Sequence, residues 1–126
     1  MLNELHIENI AVIEKADISF APGLNVLTGE TGAGKSIIID SIGAVLGERV
    51  SRDLVRRGAE KGTVTAVFDA DCAAAWLEEN EIDSDGELII QRRITLDGKS
   101  SCRICGTPVT AAQLKELAAM LVDIHG

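Results

Sequence analysis

One eight-residue pattern constrains this chain more than any other feature. Residues 29–36 read "GETGAGKS". They match G-x-x-x-x-G-K-[ST], the P-loop or Walker A pattern of a nucleotide-phosphate cradle. Each position has a physical task. Glycines accept backbone angles that other residues resist, and without side chains they let the main chain close on an anion. Amide N–H groups from Gly32 to Ser36 are expected to point inward as a nest, with the positive end of the following helix behind them. Lys35 is placed to reach the β- and γ-phosphates of a nucleotide, and the Ser36 hydroxyl to ligate Mg²⁺. Gly29, Glu30, Thr31, Gly32, Ala33 and Gly34 form the rest of the cradle. Glu30 is expected to point outward, because an acid facing phosphate is repelled.

The flanking sequence supplies the setting this loop requires. "LNVLTG" over 24–29 is a short, nearly continuous apolar run, which suits a strand covered on both faces. "KSIIIDSIGAVLG" comes next, with Ile38, Ile42, Val45 and Leu46 on one helical stripe and Gly47 as a stop. Asp40 lies one turn beyond Ser36. It reads as a solvated or capping residue, with support of the metal as the alternative.

The remainder reads as a β-rich layer with two further helices. "ELHIENIAVIEKADISF" alternates as two strands joined by a short turn. "ERVSRDLVRRGAEKG" is polar and basic, with one short helical turn. "TVTAVFDA" over 63–70 and "ELIIQRRIT" over 87–95 read as strands. The segment 72–80 reads as a helix with Trp76 on its packed face. Asp97-Gly98 is a hairpin signal, and Cys105-Gly106 marks a second tight turn in "SSCRICGTPVT". A helix is expected from 111 to 121, capped by Thr110, with "LVDIHG" opening a new strand. Together these elements predict an α/β P-loop fold, with a mixed sheet, an antiparallel β-layer and flanking helices.

Bulk properties exclude some functions. At 126 residues the chain is one domain at most. A net charge of −8 gives no support for sequence-independent DNA binding by this surface as a whole. Local basic clusters stand at 49–57 and at Arg92-Arg93. With two Phe, one Trp and no Tyr, few aromatic platforms exist for stacking bases. The first residues carry interleaved acids rather than a basic leader, and no apolar run approaches the ~20 residues of a membrane helix. The expected location is the cytoplasm. Cys102 and Cys105 have metal-pair spacing, but a structural zinc site wants a second pair. They are read as ordinary sheet residues, and Cys72 completes the chain's three cysteines. His6 is read as an exposed strand residue.

Cutting a nucleotide needs more than a cradle. A metal-holding carboxylate at the end of an apolar strand and a group that orients water are required. Asp69, after "VTAVF", and Asp123, after "MLV", imitate that carboxylate. Asp69 comes after an alternating strand and reads as a sheet-edge residue. Asp123 comes after a helix-period run. No catalytic residue is therefore assigned. Three readings stay open: half of an ATPase head, a complete small P-loop kinase with Arg56, Arg57, Arg92 and Arg93 as a lid, or a non-catalytic nucleotide-binding interaction module.

Longer stretches add a resemblance. "MLNELHIENIAVIEKADISFAPGLNVLTGETGAGKSIIIDSIGAVLGER", "LVRRGAEKGTVTAVFD", "LIIQRRITLDGKSSCRICGTPVT" and "LVDIHG" resemble successive segments of the RecN family of bacterial DNA-repair proteins, in the SMC-like branch of ABC-type ATPases. Glu30 within the loop favours that family over other SMC proteins. The resemblance implies that residues 1–126 are the N-terminal half of an ATP- and Mg²⁺-dependent head. The catalytic acid, the ABC signature and a coiled coil would then lie in sequence beyond residue 126. A C-terminal half-head, a second head paired through ATP, and DNA are the implied partners, and the implied setting is the nucleoid. Arg49 and Arg52 fall where such heads carry an arginine loop that senses DNA or the partner's nucleotide. Asn9 and Ile10 fall near the adenine. Cys105 departs from an Ile-Asn-Gly pattern, which puts the geometry of that turn in question. The role of His125 depends on its continuation in sequence.

Overall fold

The structure is a computed structural model that describes residues 2–11, 13–19, 41–47, 52–69, 73–84 and 86–125, with the backbone alone at 2, 52 and 121–125. Its frame is a six-stranded antiparallel sheet in the order β2-β1-β3-β4-β5-β6. The strands are β1 (Leu2–Ile10), β2 (Ile13–Ser19), β3 (Lys61–Asp69), β4 (Glu87–Thr95), β5 (Ser100–Ile104) and β6 (Thr107–Val109). Residues 41–45 are helical and are labelled α1. A 3-10 turn, η1 (Arg52–Leu54), is next in the chain, then α2 (Ala74–Glu79) and α3 (Ala111–His125).

Period-two patterning explains the sheet. Leu5 and Ile7, Val64 and Ala66, Leu88, Ile90 and Ile94, and Ile104 are almost fully buried. They join Val45, Trp76, Leu77, Leu114 and Leu117 in a single core. Each such large aliphatic side chain stabilises the fold by roughly 1.5–3 kcal/mol relative to exposure. The alternate positions form cross-strand rows of polar residues. Asp17 stands opposite His6, His6 opposite Thr65, Thr65 opposite Gln91, and Gln91 opposite Arg103. A sheet with one packed and one polar face is the expected outcome of such alternation.

Turn chemistry fixes the register. Cys105 and Gly106 both have positive φ, 50° and 84°, as a two-residue type I′ hairpin requires. In the β4–β5 hairpin Gly98 takes φ 88°, and the Thr95 N–H donates to Lys99 O at 2.9 Å. Helix α2 ends without a glycine. Glu81 adopts φ 56° while the Ile82 N–H reaches Leu77 O at 2.8 Å, the pattern of a Schellman stop. At the start of α3, Gln113 N donates to Thr110 Oγ1 at 3.1 Å and Thr110 N donates to Gln113 Oε1 at 2.9 Å. This reciprocal capping box bears out the expected cap.

The expectation for the end of the chain is overturned. "LVDIHG" does not open a strand; residues through His125 continue α3. The apolar spacing of Leu114, Leu117, Leu121 and Ile124 stays helical, so nothing in the pattern switches period there. The expected short turn in the basic segment is η1, and Trp76 is buried at 2% exposure. The cradle strand at 24–29 lies outside the described residues.

Candidate functional site

The cradle residues Gly29, Glu30, Thr31, Gly32, Ala33, Gly34, Lys35 and Ser36 lie outside the described residues, as do Ile38, Asp40, Arg49 and Cys72. The described residues nearest the cradle in sequence are 41–47, and they are seated in the core. Ser41, Ala44 and Val45 of α1 are buried at 0–1% exposure. Ile42 and Leu46 pack against the same core, as their stripe predicts. Leu46 N–H donates to Ile42 O at 3.1 Å and Gly47 N–H to Ala44 O at 3.2 Å. Gly47 then leaves the helix at φ 90°. A Cβ built there would stand 2.9 Å from the backbone nitrogen of Lys115, so α3 presses directly on the end of α1.

Arg92 secures this junction. It is 4% exposed, on the core side of β4 between Ile90 and Ile94. Its Nη1 donates to Ala44 O at 2.9 Å, and its Nε and Nη2 donate to Ser100 Oγ at 3.2 and 3.1 Å. The kinase alternative offers Arg92, with Arg56, Arg57 and Arg93, for a lid. That role is incompatible with a buried guanidinium bonded to a helix end. Strand parity holds the missed signal: Leu88, Ile90, Arg92 and Ile94 share one face, so an alternating apolar row carries one charge inward. Beside this junction a depression of about 540 Å³ is bordered by Gly47, Arg92, Gly98, Ser100, Ala111, Ala112 and Lys115.

The other sequence candidates are dispersed. Arg52 opens η1, and Arg57 is exposed. Arg56 N–H donates to Asn9 O at 2.8 Å, which ties the basic segment to the β1–β2 turn. Asn9 has φ 54°, and Ile10 is fully buried and bridged to Val55, so the Ile10 side chain belongs to the core. Asp69 is not at a sheet edge. It ends β3, an interior strand, and accepts a hydrogen bond from Asn3 Nδ2 at 2.8 Å. Asp123 and His125 fall in the last turns of α3. Cys102 is buried in β5, and the Cys105 thiol lies 3.5 Å from Glu87 O. No group of three metal-ligating side chains forms among the described residues.

On the polar face His6 Nδ1 lies 2.7 Å from Asp17 Oδ1 and His6 Nε2 lies 3.4 Å from Glu4 Oε1. The hydrogen bond with His6, aided by the charge of Lys15, holds the Asp17 carboxyl below the ordinary 3.8. His6 is thus half-exposed and paired. In the β4–β5 turn, the Thr95 hydroxyl and the Lys99 amide hold Asp97 below 3.8 in the same way.

Comparison with known proteins converges on one class. An AAA domain family model matches residues 4–107. The DNA repair protein RecN of Haemophilus influenzae is 46% identical over 132 aligned residues, covering 100% of this chain and 24% of the relative. RecN of Bacillus subtilis is 48% identical over 130 residues, covering 100% of this chain and 23% of the relative. The chain therefore spans about a quarter of the length of the curated relatives it matches. Among solved structures, one from work on ATP-driven dimerization and DNA-stimulated activation of SMC ATPases superposes with a TM-score of 0.77 at 23% identity, over 96% of this chain and 79% of that one. The SMC head domain from Thermotoga maritima gives 0.63 at 21% identity, over 91% of this chain and 41% of that one. The recombination mediator protein RecF, in a form named RecF-ATPrS, gives 0.69 at 18% identity, over 90% of this chain and 29% of that one. The fold is the α/β fold of SMC- and ABC-type ATPase heads. No described helix is long and apolar enough to cross a membrane.

Proposed function

We propose, from the premise that this chain belongs to the AAA domain family, that it captures ATP with Mg²⁺ and forms the N-terminal part of a DNA-repair ATPase head. One observation carries the reading: the sequence "GETGAGKS" stands four residues ahead of a helical segment, 41–45, that is packed into the core and bonded to a buried arginine. The donor chemistry fits a magnesium–polyphosphate ligand. It offers several main-chain amides around glycines, one ammonium and one hydroxyl, with no carboxylate required to face the phosphates. Lys35 neutralises the terminal phosphates, the amides from Gly32 to Ser36 hold the β-phosphate oxygens, and Ser36 supplies an oxygen to the metal. Bound Mg²⁺ contributes charge neutralisation and orientation of the phosphates.

Turnover requires further groups, a metal-holding acid and a water-orienting side chain. In this reading they come from a C-terminal half-head and from a second head paired across ATP, and the assembled protein acts on broken DNA in the cytoplasm, at the nucleoid. In this reading Arg49 and Arg52 serve to sense that partner or DNA. A turnover assay separates this reading from that of a self-sufficient kinase. The 126-residue chain is expected to release little phosphate from ATP. Robust turnover that Asp69→Ala abolishes would assign catalysis to this chain alone and reject the half-head reading.

A further inference from the structure

The most unusual buried group is Arg92, and its contacts span two elements that the sheet alone does not join. One end of the guanidinium holds Ala44 O in the last turn of α1. The other holds the Ser100 hydroxyl at the first residue of β5, next to the β4–β5 turn. Its strand neighbours Ile90 and Ile94 are buried at 0–1%, so the stem has little freedom to move. A cation at a helix C-terminus is favoured by the helix dipole, and a bond from a charged donor to a carbonyl is among the stronger hydrogen bonds. Gly47 and the backbone of Lys115 close on the same turn, so the end of α1 is held from two sides.

We propose that Arg92 is a positioning residue that couples nucleotide capture at the cradle to the β4–β5 hairpin, through α1. This deepens the function proposed above and rests on it. A displacement of residues 41–45 on nucleotide binding is passed from Ala44 through the guanidinium to Ser100. Because coupling is reciprocal, a contact that fixes the hairpin also favours the nucleotide-bound position of the helix. The hairpin presents Leu96 at 49% exposure beside Asp97 and Lys99, which makes it an accessible reporter of that position.

The test measures ATP·Mg²⁺ affinity and nucleotide-dependent amide exchange of residues 96–100 in the whole chain, alongside Arg92→Met, Arg92→Lys and Ser100→Ala. Loss of a charge-assisted contact of this kind is expected to weaken ATP binding about tenfold in R92M. R92K, which keeps a cation for Ala44 O, is expected to recover part of that loss. S100A sits at an exposed position and cuts only the hairpin end. It is expected to keep most of the affinity while the slowing of hairpin exchange on ATP addition disappears. A purely structural role would lower protection everywhere, with or without nucleotide. Should R92M not fold, S100A alone decides. Hairpin protection that still rises with ATP in S100A overturns the coupling, as does unchanged affinity in a folded R92M. Failure of the unaltered chain to bind ATP at all would overturn the cradle reading and this proposal with it.

Discussion

Replacing Gly47 by alanine isolates the contact that holds the end of α1 in place. Gly47 has φ 90°, and an added Cβ would meet Lys115 Cγ at 2.8 Å, Lys115 N at 2.9 Å and Lys115 Cα at 3.1 Å. The Cγ can swing aside, but the two backbone atoms belong to α3 and move only with the helix. The substitution carries two costs. A non-glycine residue in left-handed conformation costs about 1–2 kcal/mol. Overpacking a tight contact costs about 1–3 kcal/mol more. Gly106 provides the control, since it has φ 84° and a Cβ added there would meet nothing within 4 Å. Gly106→Ala therefore carries the conformational cost alone. In a chain of this size each kcal/mol lowers Tm by roughly 3–6 °C. Thermal unfolding should put G106A a few degrees below the parent chain. G47A should fall at least a further ~3 °C, and at the upper bound of both costs more than ~10 °C, below the parent. Equal midpoints for G47A and G106A would refute the close approach of α1 and α3.

Three smaller perturbations probe the turns and caps. Cys105→Asn is expected to stabilise the chain by about 0.5–1 kcal/mol in urea unfolding, because asparagine tolerates φ 50° better than cysteine and only a weak thiol contact is lost. Thr110→Ala removes one half of the capping box and should cost about 1 kcal/mol by the same assay, with Thr110→Ser recovering most of it. The lowered pKa of Asp97 means that its carboxylate favours the fold above the ordinary 3.8 and stops doing so as pH falls through the lowered native value. The Tm difference between the parent chain and Asp97→Asn should therefore stay constant from neutral pH down to about pH 5, and close at more acid pH.

Much of the β-layer is legible in the sequence because its physics is local. Alternation in "ELIIQRRIT" and "TVTAVFD" places β4 and β3, and Asp97-Gly98 and Cys105-Gly106 place the hairpins between neighbouring strands. Thr110 with Gln113 three positions on marks the start of α3. Four features escape such reading for physical reasons. The stop of α2 rests on Glu81 at φ 56°, a conformation that composition does not advertise without glycine or asparagine. The continuation of α3 through Leu121 and Ile124 lies in the same helical stripe, but a short apolar run also satisfies a strand pattern. Charge alone suggests a solvated Arg92. Its inward parity on β4 is present in the sequence, whereas its partner Ala44 lies 48 positions away and only the fold brings them together. Strand parity likewise says nothing about sheet order, which is why Asp69 reads as an edge residue and lies instead at the end of an interior strand.

Calorimetric titration of the chain with ATP in the presence and absence of Mg²⁺, compared with Lys35→Glu, tests the central claim most directly. The account predicts one saturable site, tighter with Mg²⁺, whose heat vanishes when the ammonium becomes a carboxylate. A titration that is flat for the parent chain, or that is the same for Lys35→Glu, would contradict it.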